Sequence, residues 1–280
     1  WISIRSERYQ IHKIKVYFLY KKTSARNKNS YIGLSCCPFL AHMLSTTQLQ
    51  AAYILHTRPY RDTSLLIDAF TESHGRISLI AKGARGIRGK KSRFRGALQA
   101  FIPLLLSWRG KTDLMNLLNA EPGNVQLSCL TGKLLVCGLY LNELLIRLLY
   151  RYDPHPQLFQ AYQVALSTLP NNPNIALRLF EKKLLAELGY ALYLHQESLT
   201  QQALLPDQSY QFIPSQGLVI CLNKSIQKQL LFSGASLLAM HHEKWDTPTH
   251  LLDAKRLFRL ALNHLLEGKT IRSRELLLIS

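Results

Sequence analysis

Between Glu72 and Asp113 the chain carries ten basic side chains and no carboxylate: Arg76, Lys82, Arg85, Arg88, Lys90, Lys91, Arg93, Arg95, Arg109 and Lys111. Charges of one sign at this density repel one another until an anion neutralises them, and a phosphate backbone does so in series. Gly83, Gly86, Gly89 and Gly96 punctuate the run and let backbone N–H groups approach phosphate oxygens. Aromatic rings supply the second half of single-strand chemistry. Tyr53, Tyr60, Phe70, Phe94, Phe101 and Trp108 share the region, and a base stacked on such a ring gains roughly 1–3 kcal/mol. Phe70 and Phe101 read as core, whereas Tyr60 and Phe94 sit in expected loops beside basic residues. The residues expected to meet nucleic acid are therefore Arg58, Tyr60, Arg76, Lys82, Arg85, Arg88, Lys90, Lys91, Arg93, Phe94 and Arg95. A merely solvated basic loop is the bland alternative, and the purity of sign argues against it.

Catalytic chemistry finds no comparable constellation. No Gly-Lys-Ser/Thr closes the glycine-rich run, and its spacing does not satisfy G-x-G-x-x-G, so nucleotide hydrolysis lacks a cradle. His241, His242 and Glu243 are adjacent, but neighbouring histidines on a helix face different ways, and no H-x-x-x-H accompanies them. Glu143 and Glu181 lie on apolar helical stretches and read as paired or exposed. Asp68 and Glu72 are too isolated for a two-metal site. Cys36, Cys37, Cys129, Cys137 and Cys221 form no C-x-x-C, which disfavours a zinc ribbon. Their odd count disfavours a disulfide framework, and a reducing cytoplasm fits them best. No cofactor, metal or catalytic residue is expected.

The whole chain has 280 residues, with 35 Lys and Arg against 17 Asp and Glu, a net charge of +18. Such a surplus suits a polyanionic partner. Nucleic acid is the first candidate and an anionic membrane surface the second. No apolar run reaches the roughly 18 residues that cross a bilayer.

The elements positioning these residues change in period along the chain. Ala51–His56, Ser64–Phe70, Arg76–Ala81, Phe101–Trp108 and Leu114–Asn119 are short strand-like runs. Turns are expected at Arg58-Pro59, Ser73-His74-Gly75 and Arg109-Gly110-Lys111. Five such strands suggest a small barrel or sandwich, and the OB-fold is the commonest five-stranded barrel that handles nucleic acid. After Pro122, leucines recur at helical spacing from Leu134 to Leu148. Further helices are expected at Leu158–Leu169, Ile175–Leu188 (with Asn174 as cap) and Leu251–Leu266. Tyr210–Ile213 and Leu218–Leu222 read as a hairpin. The expected fold class is α+β and multidomain: an N-terminal five-stranded OB-fold barrel over 43–122, then a mainly α-helical domain over 123–280 with a small β-hairpin insertion near 210–222.

Residues 1–42 stand apart. They hold eight basic residues against Glu7 alone, or +7 of the total, and the first methionine is Met43. Either this is a basic N-terminal extension, or translation reads from upstream of a start at Met43. The second is preferred, and the functional reading does not use the segment.

Specific strings then resemble a known family. Arg58-Pro59-Tyr60 before Thr63-Ser64-Leu65, Gly75-Arg76, and Lys82-Gly83-Ala84-Arg85 look like the amino-terminal OB domain of RecO proteins. Gly96-Ala97-Leu98-Gln99 with Phe101 and Pro103-Leu104-Leu105-Leu106 continue it. Gly138-Leu139-Tyr140 with Asn142-Glu143-Leu144-Leu145 is similar to the family's first long helix. Ala176-Leu177-Arg178 with Phe180-Glu181, then Leu188-Gly189-Tyr190, resembles the third. Gly268-Lys269 and Arg272-Ser273-Arg274-Glu275-Leu276 resemble the carboxyl-terminal motif. The ordered set runs from about Gln50 to Leu277.

The resemblance implies a non-enzymatic mediator of RecF-pathway DNA repair and recombination, cytoplasmic and nucleoid-associated. It implies binding of single- and double-stranded DNA, annealing of complementary strands, and work with RecR so that RecA recombinase is loaded. It implies a grip on the acidic C-terminal tail of single-strand-binding protein, with Arg178 at the matching position and Leu179 where a second basic residue is often found. Some members hold zinc through four cysteines near the small hairpin. Here only Cys221 lies there, which points to the zinc-free branch. The alternatives are an RNA-binding OB-fold protein, a phosphoryl-transfer enzyme, or an interaction module whose charge stays solvated.

Overall fold

A computed structural model of the chain describes residues 48–85, 94, 96–110, 113–123, 129–221, 230–245 and 247–279, with only the backbone of 277–279. All of these belong to one compact unit, Met43–Ser280.

Strands β1 (Gln50–Tyr60), β2 (Ser64–Thr71), β3 (Gly75–Ala81), β4 (Pro103–Arg109) and β5 (Leu114–Pro122) close a barrel in the order β1-β2-β3-β5-β4. The pairing is antiparallel except at the β3–β5 seam, which is parallel. The expected five-stranded OB-like barrel followed by a helical region is therefore the observed fold. Alternation explains the barrel. Ala52, Ile54, Ile67, Ala69, Ile77, Leu79, Leu104, Leu106, Trp108, Met115 and Leu117 fill its interior, each strand sending alternate residues inward. The other face of β1 and β2 is buried as well. Tyr53, Leu55 and Phe70 point out of the barrel into a second core shared with the helices.

Two local features depart from the sequence reading. The first turn is at residues 61–63, and β1 runs straight through Arg58 and Pro59. Past Ile54, which also bridges Ala100, β1 pairs only with β2 among the described residues, so Pro59 lies on a strand edge, where its missing donor is tolerated. The register of β1 against β2 slips between Ile54 and His56, making Leu55 the extra residue of a β-bulge. A bulge frees a backbone group from the ladder, and here the freed Leu55 carbonyl accepts a hydrogen bond from Asn142 Nδ2 at 2.9 Å.

The helical region comprises α1 (Gly132–Leu148), α2 (Pro156–Thr168), α3 (Pro173–Glu187), α4 (Gly234–His241), α5 (Pro248–Leu265) and α6 (Arg272–Ile279). Pro156, Pro173 and Pro248 stand in the first turn of their helices, where the absent N–H costs nothing. Asn172, not Asn174, is the cap residue of α3. The expected hairpin, β6 (Ser209–Ile213) and β7 (Gly217–Ile220), gains a third strand β8 (Leu231–Ser233) in the order β7-β6-β8.

Aromatic packing, a buried amide and a close helix approach bolt the barrel to the helices. Tyr53 and Phe70 meet Phe159 and Tyr162 with ring centroids 5.1–6.3 Å apart. Tyr162 in turn donates to Asn142 Oδ1 at 2.5 Å, completing the bond to the Leu55 bulge. Gly138 lets α1 approach closely, since a Cβ there would sit 2.8 Å from the Phe101 ring.

Candidate nucleic-acid interface

The outward face of the barrel divides in two. Across its lower half, His56 pairs with Asp68, and Asp68 with Ser78. Asp68 accepts from Ser78 Oγ at 3.0 Å and faces Arg76 at 3.6 Å and Arg151 at 3.9 Å. Arg76 also donates to the carbonyls of Ile146 and Leu149, the exposed acceptors at the end of α1. Burial lowers its pKa from the usual value, and Asp68 opposes that shift. Arg76, expected as a phosphate contact and 13% exposed, thus caps the helix and pairs with Asp68. The acid-free run hid this because its acceptors lie on other elements.

The upper half is open. One row of paired residues crosses all five strands: Arg58 with Leu66, Leu66 with Ile80, Ile80 with Asn116, and Asn116 with Arg109. Paired residues share a face, so an arginine stands at each end of a row with two aliphatic side chains and an amide between. Four strand spacings make a path of roughly 19 Å around the barrel wall. Above the row, Tyr60, Arg61, Asp62, Thr63, Ser64, Ile80, Lys82 and Asn116 line an open depression of about 600 Å³. Arg61 lies over the Tyr60 ring at 5.3 Å.

The start of the basic run is tied to this depression. Arg85 donates its backbone N–H to the Thr63 carbonyl at 3.0 Å and Nη1 to the Arg61 carbonyl at 3.3 Å. Arg58, Lys82, Arg85 and Arg109 are exposed, and among the described residues none of them forms an ion pair with a carboxylate. Asp62 is the one acid lining the depression.

The structure therefore brings Arg58, Tyr60, Lys82 and Arg85 together, and adds Arg61, Arg109 and Asn116. Arg61 and Asn116 carried no sequence signal, because the pairing of β3 with β5 is invisible without the fold. Arg88, Lys90, Lys91, Arg93 and Arg95 lie outside the described residues. Phe94, expected in a loop as a stacking ring, is 6% exposed and packs in the barrel interior.

Arg178, the expected contact for the acidic tail, lies on α3 with its side chain 7% exposed, and Nη2 contacts Glu181 Oε1 at 2.9 Å. Glu181 also accepts from the Tyr140 hydroxyl at 2.6 Å, and Arg274 Nη2 reaches that hydroxyl at 3.3 Å. Burial raises the Glu181 pKa while Arg178 opposes the rise. This network joins α1, α3 and α6. No group of three or more His, Cys, Asp or Glu side chains that could hold a metal occurs among the described residues, and none of their helices is long and apolar enough to cross a membrane.

A barrel with an open cationic row, fused to a helical region, is the setting in which the comparisons fall. The family model "Recombination protein O N terminal" matches residues 44–125, and "Recombination protein O C terminal" matches 130–275. The chain belongs to the RecO family. It is 44% identical over 236 residues to the DNA repair protein RecO of Coxiella burnetii (strain RSA 493 / Nine Mile phase I), covering 84% of this chain and 100% of that relative. Identity is 43% over 232 residues to the protein of that name from Nitrosospira multiformis, covering 82% and 94%. It is 42% over 234 residues to that from Methylococcus capsulatus, covering 83% and 93%. The RecO boundary at residues 125–130 falls between β5 and α1, where the barrel passes to the helices. RecO is a DNA repair family.

Proposed function

We propose that this RecO-family chain binds single- and double-stranded DNA, anneals complementary strands, and helps load RecA recombinase together with RecR and single-strand-binding protein. The observation that carries the reading is the open row from Arg58 to Arg109 with Tyr60, Lys82 and Arg85 above it. Cations without carboxylate partners neutralise phosphates, and the aliphatic centre of the row, with Tyr60 at its edge, receives base faces. Neutralising two backbones at once lowers the repulsion that opposes pairing. Placement at the nucleoid follows from the DNA partner.

The acidic tail of single-strand-binding protein is the proposed recruiting partner, and Arg178 on α3, paired with Glu181, is the residue proposed to meet it. Annealing of strands coated with the cognate single-strand-binding protein, with and without its acidic tail, tests the reading. Annealing that depends on the tail is expected. Failure to anneal even bare complementary strands would overturn it. An RNA-binding role predicts instead that RNA outcompetes single-stranded DNA of equal length.

A further inference from the structure

The carboxyl-terminal motif around Lys269 and Arg272 has no part in the barrel row, yet the fold brings it against the barrel. Leu55, His56 and Asp68 from β1 and β2, Leu139, Asn142, Glu143, Ile146 and Arg147 from α1, and Lys269, Arg272, Ser273 and Leu276 line an open groove of about 700 Å³. Its two carboxylates are already neutralised. Asp68 faces Arg76 and Arg151. Glu143 accepts from Arg147 Nε at 3.0 Å, from the Arg272 and Ser273 backbone N–H groups at 3.0 and 2.9 Å, and from Ser273 Oγ at 2.8 Å. The Lys269 and Arg272 side chains are left exposed at the rim, with Leu139 and Leu276 exposed beside them.

The groove is continuous with the barrel row. His56, in the groove, and Arg58, at the end of the row, stand two residues apart on β1, hence on one face and roughly 7 Å apart. The junction between them is rigid, because Asn142 bonds the Leu55 bulge and Arg76 caps α1. We infer that Lys269 and Arg272 form a second backbone-binding segment, across which a DNA strand leaving the barrel row at Arg58 continues. Leu139 and Leu276 give its bases an apolar floor, and the rim cations meet its phosphates. A short acidic peptide has the same charge, but it would not need the continuity with β1 that makes one track of two surfaces.

The inference rests on the proposed DNA binding, and strand length separates the two. Affinity for oligothymidylate of about six and about twenty nucleotides, sizes that bracket one barrel's site, is measured across salt for wild type and Lys269→Ala/Arg272→Ala. Thermal melting verifies that the variant is folded. The variant is expected to bind the short strand like wild type. On the long strand its salt slope should be shallower by about 1.4, or about 0.7 for each phosphate no longer neutralised. Wild-type slopes on both lengths would overturn the inference while leaving DNA binding intact. Equal losses on both lengths would overturn it too, since the groove would then not be a separate segment. So would normal DNA binding with loss of affinity for a synthetic acidic peptide, which would assign the groove to protein. A wild-type chain that binds neither strand would refute the proposed function itself.

Discussion

Asn142 on α1 donates to the carbonyl of Leu55 at the bulge of β1, so an irregularity in the barrel is the anchor for the first long helix. Its Oδ1 is used as well, by Tyr162, and both ends of the amide are buried. Asn142→Leu fits the volume but leaves the Leu55 carbonyl and the Tyr162 hydroxyl unpaired. Each buried unsatisfied group costs about 1–3 kcal/mol, so a loss of roughly 2–6 kcal/mol in urea unfolding is expected. A loss below about 1 kcal/mol would show the anchor to be dispensable.

Arg178 and Glu181 give a second prediction. Removing one member of a buried pair strands the other charge, which costs roughly 3–5 kcal/mol, whereas replacing both with apolar residues is often neutral. Arg178→Met should therefore destabilise strongly, and Arg178→Met/Glu181→Leu should recover much of the loss. Chemical denaturation of the three proteins decides. A stable single variant that has lost only affinity for an acidic tail would leave Arg178 the tail contact alone.

Glu143 sets an acid limb. Burial alone would raise its pKa, but hydrogen bonds from Ser273, Arg272 and Arg147 outweigh burial and hold it below the usual carboxylate value. A depressed folded-state pKa stabilises above the unfolded value and loses that contribution as pH falls through the folded one. Glu143→Gln should accordingly lower the melting temperature at pH 7 and converge with wild type in strong acid. A constant offset between the two melting curves from pH 7 to pH 3 would reject the carboxylate as the cause.

Salt dependence tests the row. With about five phosphate contacts in the basic loop, the loop's share of the fall of log affinity with log salt for single strands should be near −3.5. Arg58→Ala/Lys82→Ala/Arg85→Ala should flatten the slope by about 2, and Arg88→Ala/Lys90→Ala/Lys91→Ala/Arg93→Ala should flatten it comparably. Arg76→Met should leave it alone and instead reduce stability, because its guanidinium serves Asp68 and α1. Fluorescence anisotropy against salt reads all three, and a flattened slope in Arg76→Met would reverse its assignment.

The barrel was legible because Ile77, Leu79 and Ala81, or Leu104, Leu106 and Trp108, alternate as inward-facing strands must. Pro59 misled because a proline reads as a turn until one knows that it lies on a strand edge. Pro156, Pro173 and Pro248 stop one segment and equally start the next, and only the starts are seen in helices. At the candidate site, Tyr60, Lys82 and Arg85 were legible as basic or aromatic residues beside a turn. Phe94 and Arg76 were not, since burial is decided by what packs against them. Phe94 falls into the barrel interior, and Arg76 finds acceptors 70 and 73 residues away. Asn116 joins the row only through the parallel seam with β3.

The cap that Glu143 places on α6 joins positions 129 and 130 residues apart. During synthesis the barrel and α1 leave the ribosome long before the segment that fills Glu143's bonds. A nascent chain stalled before residue 272 would display a completed barrel beside a carboxylate still facing water. Assembly of this corner is consequently a late event, governed by the slow closure of a long loop.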